Sequence, residues 1–133
     1  MVKIESEPKV INRSDVSLFN FLGDFRNFDK LMPDKVVNWQ STENSCYFTI
    51  SGLGNIGMEI TEKIPYSKIR IRETKKAPFE FDFTLDLEKI EDLKTRVIFS
   101  INAEINPMLS MMVSKPLKNF LDMLVTKLGE IPI

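Results

Sequence analysis

The residues able to do chemistry are few, and their absences are as informative as their presence. The chain has no histidine, which removes histidine-dependent triads, imidazole metal sites and the usual neutral-pH general base. Its one cysteine, Cys46, excludes an internal disulfide and any multi-cysteine metal site. No cationic partner stands near Cys46 in the sequence to activate a thiolate, so it reads as a core residue. The segment Gly52-Leu53-Gly54-Asn55-Ile56-Gly57 matches the dinucleotide-binding pattern G-x-G-x-x-G. That pattern binds pyrophosphate only when a helix follows it. Here Ile56-Gly57-Met58-Glu59-Ile60 follows with a period of two, so the glycines read as a hairpin turn. Glu62 falls on the apolar parity between Ile60 and Ile64. A carboxylate there either reaches a wet rim or is a polar anchor, or an acid of raised pKa, inside a pocket. Glu73 shares that parity at a strand end and reads as solvated.

These residues must be positioned by elements that the periodicity predicts. The chain has 133 residues, 43% of them hydrophobic and 28% charged, with a net charge of −1. This suits one globular domain over residues 1–133, with no electrostatic claim on nucleic acid or anionic lipid. No apolar run reaches the roughly 20 residues of a membrane span, and the charged start is unlike a signal peptide. A cytoplasmic location without stable membrane insertion is expected.

Val2, Ile4 and Val10 predict a first strand, confined by Pro8 to a sheet edge or bulge. Asn12 or Ser14 caps a short helix ending at Gly23 in a left-handed conformation, and Asp24 caps a second, stopped by Pro33. Period two then begins. Val37 and Trp39 share one face of a strand; Cys46, Phe48 and Ile50 that of the next. Met58, Ile60, Ile69, Ile71, Phe79, Phe81, Phe83 and Leu85 continue it through Val97, Phe99, Ile101 and Ala103. Short turns between consecutive strands predict an antiparallel meander with one dry and one wet face. On the wet face, Arg72 is expected opposite Glu80, Arg70 opposite Asp82, Glu59 beside Arg72, and Glu88 opposite Arg96. Such a ladder sets register. From Pro107 onward apolar residues recur at three and four, predicting a long helix kinked near 114–116 by Pro116. A sheet of about seven strands needs a cover, and this helix is the one long enough to supply it.

The element order β-α-α-β₆-α resembles the SRPBCC superfamily, which includes START domains, plant pathogenesis-related allergens and polyketide cyclases. The resemblance is carried by residues 79–87 and 97–105, then Ile105-Asn106-Pro107-Met108 and Lys115-Pro116-Leu117. It implies an α+β helix-grip fold: a curved antiparallel sheet around a long C-terminal helix, with two short helices after the first strand. The family has no universal catalytic residues, so the resemblance carries over none, and no cofactor or metal is expected. The inward residues are rich in Phe and Met, and form either a packed core or a ligand cavity. The resemblance favours binding of a small hydrophobic or amphipathic molecule. The expected lining is Phe48, Met58, Ile60, Glu62, Phe81, Phe83, Phe99, Met112, Leu117 and Phe120. Alternatives are a cyclase or dehydratase on an aromatic or polyketide-like substrate, with Glu62 as its acid, and a co-chaperone-like interaction module whose protein partner is unknown.

Overall fold

The computed structural model describes residues 2–52, 54–75 and 80–132. Strands β1 (Val2–Glu5) and β2 (Lys9–Ile11) lead into helices α1 (Asp15–Leu22) and α2 (Phe25–Phe28). A 3₁₀ turn, Asp29–Leu31, follows. Next come β3 (Val36–Ser41), β4 (Ser45–Ile50), β5 (Gly54–Ile64), β6 (Lys68–Lys75), β7 (Glu80–Glu91) and β8 (Lys94–Glu104). The last element is α3 (Pro107–Glu130). The strands form one antiparallel sheet in the order β1-β8-β7-β6-β5-β4-β3, with β2 also on β8. The expected meander is therefore present from β3 to β8. The first strand is two strands on one edge, because Pro8 has no amide proton to give the ladder. At the break Ser6 substitutes for the ladder: its amide donates to the Phe99 carbonyl (2.8 Å) and its hydroxyl accepts from the Phe99 amide (3.0 Å).

Local chemistry sets the helix ends. Ser14 accepts from the Ser17 amide, Asp24 from the Arg26 amide and Asn106 from the Leu109 amide, each satisfying a donor of the first turn. The Arg26 side-chain hydrogen bond also holds the Asp24 carboxyl below its ordinary range. Gly23 ends α1 with φ −76°, not in the left-handed form that its position predicts. Glycine fits there for another reason: a Cβ would lie 3.0 Å from the Phe19 carbonyl oxygen. Helix α3 continues through Pro116, whose ring nitrogen has no proton for the helix ladder. No helix of the described residues is long and apolar enough to cross a membrane.

The helices and the inner sheet face close over one hydrophobic cluster. Leu117, Leu121, Leu124, Val125 and Leu128 of α3 are buried in it. Phe25 and Phe28 of α2 are wholly buried at its edge and meet edge-on. On the outer face the charged ladder is present with a corrected register. Arg72 opposes Asp82, not Glu80, and Arg70 opposes Thr84, not Asp82. The offset is two residues, so every side chain keeps its face. Glu59 opposite Arg72 and Glu88 opposite Arg96 are as expected. Phe79 and the turn expected beside it lie outside the described residues.

Candidate ligand cavity

Between α3 and the sheet lies a cavity of about 40 Å³. Phe48 and Ile50 of β4, Ile56 and Met58 of β5, and Phe81 and Phe83 of β7 form its floor and walls. Ile101 of β8 adds to the wall, and Leu117, Phe120 and Leu124 of α3 form the roof, with Met32 at one end. Every lining residue among those described is apolar. A water occupies roughly 10–15 Å³ on this measure, and a dry apolar cavity that takes benzene is roughly 150 Å³. The space is real, but a ring-sized guest requires the lining to yield. Met32, Met58 and the half-buried Phe120 are the side chains able to do so. The indole of Trp39 stacks on Phe48 at 5.0 Å between ring centres, placing the molecule's single tryptophan against the cavity wall.

Six predicted residues meet here: Phe48, Met58, Phe81, Phe83, Leu117 and Phe120. Four do not. Glu62 is the main correction. A β-bulge between Ile60 and Glu62 inserts Thr61 into β5 and reverses the parity beyond it. Glu62 thus faces outward, opposite Arg70, to which it is ion-paired at 2.8 Å with half its side chain exposed. Lys63 takes the inward parity instead and pairs with Glu43 at 3.5 Å. Ile60 packs against the core just before this bulge, away from the cavity. Phe99 is fully buried under Phe83, edge-on at 5.9 Å, as core rather than lining. Met112 is 69% exposed, because the buried line of α3 runs through Val113 and Leu117 and leaves Met112 on its flank.

The lining residues missed were Met32, Ile50, Ile56, Ile101 and Leu124. Ile50, Ile56, Ile101 and Leu124 carry the inward periodicity, which does not by itself mark which inward residues border a space. Met32, between Leu31 and Pro33, lies outside any periodic segment. A similar bulge at Asn38, with φ 58°, turns Val37 outward and leaves Val36 and Trp39 facing the core. Among nearby titratable groups, burial pushes the Cys46 thiol up to about 12. Glu73 is half-buried, and its carboxylate accepts from the Phe81 amide at 3.2 Å. The glycine pattern at 52–57 opens strand β5, with Gly52 at φ 86° and Gly54 at φ 117°, and no helix follows to receive a phosphate.

Outside the cavity, a groove of about 420 Å³ runs between α3 and the β4–β5 hairpin. It shares Ile50, Leu117 and Phe120 with the cavity.

No family model matches the sequence, and no curated protein matches it. Solved structures do match. A START superfamily protein from Mycobacterium smegmatis superposes with a TM-score of 0.77 at 11% identity, over 96% of this chain and 94% of that one. This is the helix-grip fold. XoxI from Bacillus cereus gives 0.78 at 12% identity, covering 98% of this chain and 94% of its own. A norcoclaurine synthase point mutant from Thalictrum, in complex with a transition-state analogue, gives 0.77 at 8% identity over 97% and 92%. In this helix-grip chain the gripped element is α3, and the cavity lies on its sheet-facing side.

Proposed function

We propose that this protein binds a small apolar or amphipathic molecule between α3 and the sheet. The observation that carries the reading is the cavity whose described lining is wholly apolar, drawn from four strands and α3 together, with adaptable Met and Phe side chains around it. The helix-grip neighbour norcoclaurine synthase, solved in complex with a transition-state analogue, supports a small-molecule-binding reading by analogy of fold. The cyclase or dehydratase reading needed an inward acid. With Glu62 turned out to Arg70, the described lining carries no acid or base, and binding is the better-supported function.

The test is titration with N-phenyl-1-naphthylamine, a neutral apolar fluorophore, followed by methyl NMR. Binding should move the methyl resonances of Met32, Met58 and Leu124 and change Trp39 emission through Phe48. Ile56→Phe, which fills the space, should weaken binding by about ten-fold or more while circular dichroism stays native. If saturating probe leaves those three methyls unmoved in the native protein, the proposal falls.

A further inference from the structure

The groove outside the cavity has a chemistry that the cavity lacks. Its floor and walls are apolar: Ile50 on the sheet side, and Met112, Val113, Pro116 and Met123 on α3. Its polar lining is Lys35, Ser51 and Asn119. Lys35 is the only charged residue among the described residues that line it. Neighbouring Asp34 lies in a separate hollow with Asp122, Lys127 and Glu130, across Met123. The groove and the cavity meet at Ile50, Leu117 and Phe120, which border both. A molecule lying in it would meet a cation at Lys35 and apolar side chains shared with the cavity.

We propose that the ligand is an anionic amphiphile, a carboxylate on an alkyl chain. Its head pairs with Lys35 beside Ser51, and its chain passes Phe120 toward the cavity. The inference rests on the binding function above and adds the charge of the head group and the direction of entry. The cavity's size fits this arrangement. At about 40 Å³ it accepts only the end of a chain, so most of an alkyl ligand has to lie in the groove. An amine head would meet the Lys35 charge, and a neutral head would gain nothing from it.

Octanoate, octanol and octylamine, titrated at neutral pH and low salt by amide NMR, separate the two readings. Octanoate should bind about three-fold more tightly than octanol, the scale of an exposed ion pair, and octylamine most weakly. The advantage of octanoate should vanish in high salt and in Lys35→Gln, and reverse in Lys35→Glu. Lys35 is exposed, so these variants keep the fold. Equal binding of octanoate and octanol, or an octanoate advantage that survives Lys35→Gln, overturns the anionic head while leaving the apolar site intact. Failure of all three ligands to move any groove or cavity resonance overturns both.

Discussion

At the scale of single residues, burial decides which groups are reactive. Cys46 sits on the inner face of β4 opposite Met58, and desolvation raises its thiol to about 12. A free cysteine in the unfolded chain titrates near 8.5. The folded value is the higher, so the folded state is favoured in full below about 8.5 and loses that advantage as pH rises toward 12. Stability should fall by about 1.4 kcal/mol per pH unit above about 8.5 from this group alone. Urea titrations at stepped alkaline pH should show that slope, and Cys46→Ala should flatten it. The native thiol should also resist a disulfide reagent at neutral pH and react once guanidinium unfolds the chain. Rapid labelling of the native protein would mean that Cys46 is not shielded in this way.

At the scale of elements, the glycines and bulges show where the backbone departs from its simple periods. Gly54 opens β5 at φ 117°, a conformation that side chains rarely adopt, although nothing lies within 4 Å of where a Cβ would sit. Gly54→Ala should therefore cost about 1–2 kcal/mol through strain rather than collision. Guanidinium midpoints measure it, and a neutral substitution would show that the hairpin relaxes freely. The same departures limit what the sequence makes legible. The meander, the Ser14 and Asp24 caps and the covering helix are readable, because alternation and 3.6-residue spacing persist over many residues and capping side chains precede the apolar runs. One inserted residue is invisible to such a pattern. Thr61 and the Asn38 bulge each reverse parity within a strand, so simple alternation gives Glu62 the inner parity and puts Val37 on the wrong face. Parity also cannot separate a cavity wall from solid core. Phe81 and Phe99 share the inner face, yet only Phe81 borders the space.

At the scale of the whole molecule, the chain's two ends are fastened together around the sheet, so α3 stays over its cavity. The fastenings differ in kind. Lys118 of α3 reaches Glu7 and Asp122, each at 3.1 Å, and the Glu7 amide donates to Asp122 at 2.7 Å. These bonds are exposed or nearly so. The hydrogen bonds that Lys118 donates to Asp122 and Glu7 raise its pKa, so the lysine's contribution is fully present from neutrality up to its unfolded value near 10.4. It is lost only as pH rises through the raised folded value, and gives no slope near neutrality. Water replaces such contacts at little cost. Lys118→Met should therefore leave the urea midpoint at neutral pH where it is. Ser6 is different, because it is 4% exposed and its hydroxyl is what the Phe99 amide donates to beneath the broken edge strand. Ser6→Ala strands that buried donor and should cost about 1–3 kcal/mol, seen as a lower urea midpoint at unchanged slope. Phe99 packs on Phe83, which lines the cavity, so loosening this joint should also disturb the Phe83 ring resonances. A midpoint loss in Lys118→Met as large as that in Ser6→Ala would mean that the exposed ion pair matters as much as the buried seam.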